Sequence, residues 1–137
     1  MKIIRFIWQL PQDLVALIWI GILSIFKGKP EFSKFRDEHY AYFKKYVNGV
    51  SLGDFVILGS WYRYDDTTIK HEYGHTRQSL YLGPLYLILI GLPSACGNLW
   101  DRWFHKKWDY TKREKWYYSQ PWEKWADTLG EVSRFWE

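Results

Sequence analysis

The chain has 137 residues, a length typical of one domain, and carries 19 basic side chains against 15 acidic ones. Its single cysteine, Cys96, excludes an internal disulfide framework and a structural zinc site built from several cysteines. Aromatic residues make up 21% of the chain, and such residues concentrate in cores, at interfaces and at membrane boundaries. The net charge of +4 by itself indicates no particular partner.

The first predicted element is a helix from Pro11 to about Phe26, within an apolar N-terminal segment, residues 1–26. Proline suits the first turn of a helix, and Asp13 is favourable near its positive end. The uninterrupted apolar part, Leu14 to Phe26, is shorter than the roughly 20 residues that a perpendicular membrane span requires. Three interpretations stay open, namely a buried core helix, a monotopic membrane anchor and a short tilted span. Whether the segment is a pro-segment that blocks a cleft also stays open.

The middle of the chain predicts one more helix and a small sheet or hairpin. Residues 31–46 place aromatic side chains at helical spacing, which predicts an amphipathic helix. Asn48-Gly49 is a turn signal. Residues 50–58 are rich in β-formers and predict a strand, with residues 60–64 as its partner strand.

A further helix is predicted from about Thr67 to Leu82, and it contains the sequence HEYGH. Residues 65–68 offer N-cap side chains, and Gly83-Pro84 ends the helix. The apolar run 85–92 that follows is too short to cross a bilayer alone, so we expect a buried or interfacial segment. Pro121 then opens a last helix to about Phe135.

A basic and aromatic stretch lies between residues 102 and 116. Such a mixture suits an anionic membrane surface, while a solvated basic loop is the plainer alternative. No nucleic-acid-binding motif is present, so nucleic acid is not expected as a partner. The residues concerned are Arg102, Trp103, Phe104, Lys106, Lys107, Trp108, Tyr110, Lys112, Arg113, Lys115 and Trp116.

The HEYGH sequence predicts a metal site. Residues four apart lie on one face of a helix, so His71 and His75 project together and offer two adjacent ligands to one metal. Glu72 follows the first ligand directly, which positions its carboxylate as a general base toward an activated water. Catalytic zinc needs a third protein ligand and an open position.

The best third ligand is Glu123, in the first turn of the last predicted helix. Asp127 lies four residues further on the same face, so it can accept the outer N–H of a ligand histidine and orient it. The long interval between His75 and Glu123 leaves other third ligands open. These alternatives are Asp101, His105 and Asp109.

The pair HEYGH and Glu123-Lys124-Trp125-Ala126-Asp127 resembles the gluzincin group of zinc metallopeptidases, including its minimal single-domain members. The longer stretch HEYGHTRQSLYLGPLYLILIGLPS, with Trp8-Gln9-Leu10-Pro11-Gln12, is also similar to bacterial proteins that carry HEYGH. The resemblance implies an α+β, mainly helical, zincin-like fold with a small sheet. It also implies His71, His75 and Glu123 as zinc ligands, Glu72 as general base and Asp127 as the orienting carboxylate.

Two further parts of the site follow from the resemblance. An edge strand is expected to pair with an extended peptide, and within residues 50–58 this predicts Phe55, Val56 and Ile57 as substrate-binding residues. A tyrosine or histidine is expected to stabilise the oxyanion. Tyr118 is preferred for that role, with Tyr117 and His105 as alternatives.

These observations predict a single domain, residues 1–137, that acts as a zinc-dependent peptidase on a peptide or protein substrate, at a membrane surface or in the cytoplasm of a bacterium or archaeon. Polar neighbours of the motif, Lys70, Arg77 and Gln78, disfavour a position inside a bilayer. The alternative is a non-catalytic, zinc-binding, membrane-associated scaffold protein. A purely structural site has no need of Glu72, which favours the peptidase.

Overall fold

A computed structural model describes residues 2–137 of the chain. Within them, six α-helices accompany a four-stranded mixed sheet, so the predicted α+β class is correct. The helices are α1 (Lys2–Trp8), α2 (Leu10–Lys27), α3 (Asp66–Leu82), α4 (Leu92–Phe104), α5 (Tyr110–Tyr118) and α6 (Pro121–Leu129). The strands are β1 (Glu31–Phe35), β2 (Glu38–Phe43), β3 (Gly49–Leu52) and β4 (Phe55–Gly59).

The sheet consists of two hairpins joined side by side. Its strand order is β1-β2-β4-β3, with β2 and β4 parallel and the two outer pairs antiparallel. In the β3–β4 turn, Gly53 has a φ of 64°, a conformation that favours glycine. Asp13 of α2 accepts a hydrogen bond from the backbone N–H of Asp54 at 2.8 Å, so α2 anchors this turn.

The two faces of the sheet are covered by different helices. Leu23 of α2 packs with Ala41, Phe43 and Ile57 on one face. On the other face, Tyr40, Tyr42, Val56 and Leu58 form a second cluster, against which Ile69 of α3 packs. Successive residues of a strand point to opposite faces, so β2 and β4 are buried on both sides and α3 is held against the sheet.

The prediction of an amphipathic helix over residues 31–46 is wrong, because this segment forms the β1–β2 hairpin. Its aromatic residues fit a helical spacing, but they fit an alternation of two faces equally well. Tyr40 and Tyr42 point to one face, and Ala41 and Phe43 to the other. Aromatic side chains favour the pleated surface of a sheet, and here that preference prevails.

Three other boundaries differ from the predictions. Residues 50–58 form two strands rather than one, because the turn at Gly53 divides them. Residues 60–64 form a short 3-10 helix instead of a partner strand. The last helix ends at Leu129 and not at Phe135.

The segment between α3 and α4 is helical throughout. A 3-10 turn over Gly83–Leu85 leads into a π-helical turn over Leu87–Gly91 and then into α4. Only Tyr86 and Ile90 of the run 85–92 are buried, so a buried position is wrong for most of the run, and the interfacial alternative stays a prediction.

Helix α2 has one protein-facing side and one exposed apolar side. Its buried residues are Gln12, Asp13, Ala16 and Leu23. By length and composition α2 could cross a membrane, and 22% of its apolar window is buried. Of the segment 1–26, Met1 lies outside the described residues.

Candidate metal centre

Helix α3 begins and presents the HEYGH residues as the sequence predicts. The carboxylate of Asp65 accepts hydrogen bonds from the Thr68 hydroxyl at 2.7 Å and from the Thr68 backbone N–H at 3.4 Å, which caps the helix. His71, Glu72 and His75 are all buried. The motif therefore lies on the protein-facing side of α3.

Two glycines bring α3 and α6 into backbone contact. A Cβ added to Gly74 would lie 1.8 Å from the carbonyl oxygen of Ala126, and one added to Gly130 would lie 2.0 Å from the carbonyl oxygen of Lys70. Side chains at these two positions would therefore push the helices apart. Their absence lets the carboxylates of α6 reach the histidines of α3.

The three predicted ligands meet at one point. The Nε2 atoms of His71 and His75 each lie 3.0 Å from Oε2 of Glu123. Donor atoms of the three residues all lie within 4.8 Å of one another, which makes them a possible metal-binding triad. The alternative third ligands are engaged elsewhere: Asp101 bonds His105 and Arg113, while Asp109 caps α5.

Both histidines are held by acceptors on their outer nitrogens. Nδ1 of His71 lies 2.6 Å from Oδ1 of Asp127, and Nδ1 of His75 lies 2.6 Å from Oε1 of Gln78. The amide nitrogen of Gln78 donates to the carbonyl of Trp122 at 2.7 Å, which fixes the orientation of that amide. Each Nδ1 therefore carries a hydrogen, and each Nε2 is the atom turned toward Glu123.

This arrangement fits a cation. With hydrogens on Nδ1, neutral imidazoles present two Nε2 lone pairs to a carboxylate oxygen, and three acceptors cannot bond one another. A metal ion between them satisfies all three at once. Nitrogen and carboxylate ligands of this kind suit zinc, and three protein ligands leave one position of a tetrahedral ion free.

Protonation is the other way to satisfy the cluster. Burial opposes the charge of His71, but its bonds with Asp127 and Glu123 outweigh burial and raise its pKa to about 9. Burial likewise opposes the charge of His75, and Glu123 raises its pKa. Burial favours protonation of Glu123, yet the histidines hold its pKa well below its usual range. A metal must therefore replace protons on the imidazoles.

Glu72 is oriented separately from the triad. Its Oε2 accepts a hydrogen bond from the Ser51 hydroxyl of β3 at 2.6 Å, and the same hydroxyl lies 2.9 Å from the Glu72 carbonyl. Glu72, His71 and His75 line a cleft of about 1030 Å³. The cleft is bounded by α2, β3, α4, α5 and the C-terminal residues 133–136.

Of the predicted oxyanion residues, the two tyrosines line the cleft and His105 does not. The ring of Tyr118 meets that of His71 edge to face, with centroids 4.9 Å apart, and it lines the cleft. Tyr117 also lines the cleft, but its hydroxyl lies 3.1 Å from that of Ser94. His105 stacks on Trp108 outside the cleft lining.

The prediction that the substrate-binding residues lie on an edge strand is wrong. Phe55, Val56 and Ile57 belong to β4, which has hydrogen-bonded neighbours on both sides and no free edge. Val56 and Ile57 are also fully buried. The edge strand beside the triad is β3, whose Gly49 and Ser51 line the cleft.

Several residues that support the site were not predicted from the sequence. The sequence marks Gln78 only as a polar neighbour of the motif, yet it is fully buried against His75. Its spacing of three from His75 was the available signal, because such pairs are neighbours on a helix. Ser94 donates to Glu123, and Arg134 donates to Asp127 at 2.8 Å, and no sequence pattern marks either residue.

The donor set defines what the site can do chemically. Two imidazole nitrogens and one carboxylate oxygen converge, and a second carboxylate faces the same cleft. No protein-family model, curated protein or solved structure matches this chain. The functional inference therefore rests on the geometry of the site.

Proposed function

We propose that this protein is a zinc-dependent peptidase. One observation carries the proposal: two buried histidines with fixed Nδ1 hydrogens turn their Nε2 atoms toward one buried carboxylate, beside an open cleft. His71, His75 and Glu123 would hold the ion. Zinc held in this way supplies a Lewis acid that makes water acidic enough to ionise near neutral pH.

The residues around the triad have separate roles in this proposal. Glu72 accepts a proton from the attacking water and passes it to the leaving amine, with Ser51 holding its carboxylate in place. Asp127 and Gln78 keep the imidazoles in the ligand tautomer. Tyr118 is the hydroxyl that would stabilise the developing oxyanion.

The cleft offers one strand edge to a peptide. In an antiparallel ladder the polar groups of alternate residues point away from the partner strand, and Gly49 and Ser51 form one such alternate pair. The carbonyl of Ser51 already accepts a hydrogen bond from the hydroxyl of Tyr86 at 2.9 Å. An extended substrate would therefore pair at Gly49, as in a zincin-like arrangement.

The proposal is tested by metal analysis and peptide-library cleavage with purified protein. We expect about one zinc per chain, its loss in Glu123→Ala, and cleavage that a chelator abolishes. Glu72→Gln should keep the zinc and lower the rate by about 10²-fold or more. Glu114→Gln, a carboxylate change in the same cleft, serves as the matched control and should leave the rate unchanged.

The outcomes separate the competing functions. Unchanged cleavage in Glu72→Gln would remove the proposed general base. Zinc bound at one per chain without cleavage of any library peptide would support a non-catalytic zinc-binding protein instead. Full zinc content in Glu123→Ala would contradict the ligand set.

A further inference from the structure

The outer side of α2 is apolar and has no protein partner. Between Leu14 and Phe26 the helix contains no charged residue. Its exposed apolar residues, here called the α2 face, include Leu14, Leu17, Ile18, Ile22, Ile25 and Phe26. These six residues are 39% to 79% exposed, and a contiguous apolar patch of this kind marks an interaction surface.

A second apolar surface runs along the helical segment that ends in α4. No charged residue lies between Arg77 and Asp101. Exposed residues recur at helical spacing along one side, here called the apolar stripe: Leu85, Ile88, Leu89, Leu92, Leu99 and Trp103.

Both surfaces adjoin the mouth of the cleft. Val15 and Ile18 line it from α2, and Leu92 lines it from the beginning of α4. Ile18 is 62% exposed and Leu92 is 59% exposed, so both residues reach from the cleft to the outside. The α2 face and the apolar stripe therefore flank one opening.

Exposed lysine side chains lie at one end of each surface. Lys27 and Lys29 follow the α2 face, and Lys106 and Lys107 follow the apolar stripe. At the end of the stripe, Trp100 and Trp103 are 53% and 64% exposed, and tryptophan favours the boundary between headgroups and acyl chains. Apolar surface bordered by lysine and tryptophan matches an anionic bilayer in both polarity and charge.

We propose that the α2 face and the apolar stripe together dock this protein on an anionic lipid bilayer, with the cleft opening at the bilayer surface. Docking is monotopic, because the other side of α2 is occupied by the sheet through Leu23 and by Gln12, which donates to Ser79. Lipid reaches α2 from one side only. This surface goes beyond the proposed peptidase chemistry and does not depend on it.

Flotation of the full chain with lipid vesicles tests the docking surface. Vesicles of phosphatidylcholine with phosphatidylglycerol should carry the protein, and pure phosphatidylcholine should carry less. Salt at roughly 1 M, where the Debye length is about 3 Å, should weaken but not abolish binding. Ile25→Glu and Ile88→Glu, one on each surface, should each lower partitioning about ten-fold.

Tyr64→Glu is the matched control, because Tyr64 is 90% exposed and belongs to neither surface, since it ends the 3-10 helix after β4. It should leave partitioning within about two-fold, since it removes no lipid contact. Circular dichroism of all three variants checks that they fold. Folded variants Ile25→Glu and Ile88→Glu that both float like the unaltered protein would overturn the proposal, as would failure of the unaltered protein to float.

Two other results would overturn it in specific ways. A lipid-free dimer that Ile25→Glu or Ile88→Glu dissociates would assign these surfaces to a second copy of the chain. Resistance to extraction at alkaline pH would mean that α2 spans the bilayer and would contradict monotopic docking. Complete release at alkaline pH supports the proposal.

Discussion

The triad region and the apolar surfaces of this protein differ in how their side chains are placed: polar groups are buried in the first, and apolar groups are exposed on the second. Around His71, buried polar atoms form hydrogen bonds within the protein: His71 bonds Asp127, and Asp127 accepts from Arg134. Along the α2 face and the apolar stripe, large apolar side chains are 39% to 79% exposed. Burial and pairing determine stability, so the first region should be sensitive to single substitutions and the second tolerant of them.

The folded state depends on close packing where α3 meets α6, and not on the outer side of α2. Contacts between α3 and α6 are made at the backbone level and leave no room for a methyl group. The outer side of α2 contributes nothing to the packed core. Four substitutions test this difference in sensitivity between the two regions.

The largest effect is expected for Gly74→Ala. The added Cβ would lie 1.8 Å from the Ala126 carbonyl oxygen, so α6 must move. We expect the free energy of unfolding to fall by about 3 kcal/mol or more, measured by urea denaturation. Gly21→Ala is the control, since nothing lies within 4 Å of its Cβ, and it should be neutral or slightly stabilising. Equal effects of the two changes would contradict the tight helix contact.

Asp127→Ala should come next. It leaves Arg134, which donates to Asp127 at 2.8 Å, and His71 without their buried partner. We expect a loss of about 3 kcal/mol in the same denaturation experiment. Asp66→Ala removes an exposed pair with Lys70 and should cost about 0.5 kcal/mol or less. A small loss in Asp127→Ala would mean that the paired cluster does not stabilise the fold.

Asp13→Asn should have a smaller effect that depends on pH. Burial, together with neighbouring Asp54 and Glu38, raises the pKa of Asp13 from 3.8 to about 7. The folded state thus binds this proton more tightly than the unfolded state, so the stabilisation is complete below about pH 4 and is lost as the pH rises through about 7.

Asparagine mimics the neutral acid at every pH. At pH 8 we expect Asp13→Asn to be more stable than the unaltered protein by about 2 kcal/mol, and near pH 4 to match it. Denaturation at both pH values measures the difference. A difference that is the same at both would rule out titration of Asp13 in this range.

The smallest effect is expected for Ile25→Ala in lipid-free buffer. Ile25 is 79% exposed, so its truncation should change the free energy of unfolding by about 0.5 kcal/mol or less. Leu23→Ala, two residues away in the same helix, removes a buried contact with the sheet and should cost about 2 kcal/mol or more. Similar losses for both would mean that the α2 face is covered in solution.

Much of the site could be predicted because it depends on short-range spacing. His71 and His75 share a face of α3 by helical geometry alone, and Glu123 and Asp127 share a face of α6 for the same reason. What spacing does not reveal is which helices touch. Gly74 decides that contact, and its role appears only when Ala126 is seen opposite it.

The sheet was harder to predict because its pairings are long-range. The aromatic residues of β2 suit a helix or a strand until β4 is known to lie beside them. The same applies to the substrate strand: only the strand order reveals that β4 is internal and β3 is the edge. The exposure of the apolar stripe also could not be predicted, because the sequence does not reveal that Tyr86 and Ile90 form the buried side of this helical segment.

Glu123 meets His71 and His75 across 52 and 48 residues of chain. An ion held by all three residues would act as a cross-link that closes this long loop, and cross-links gain stability by reducing the entropy of the unfolded chain. The loop contains the whole apolar stripe. A chain cut after Gln120 would keep HEYGH but lose this closure, and with it the constraint on the segment that carries the stripe.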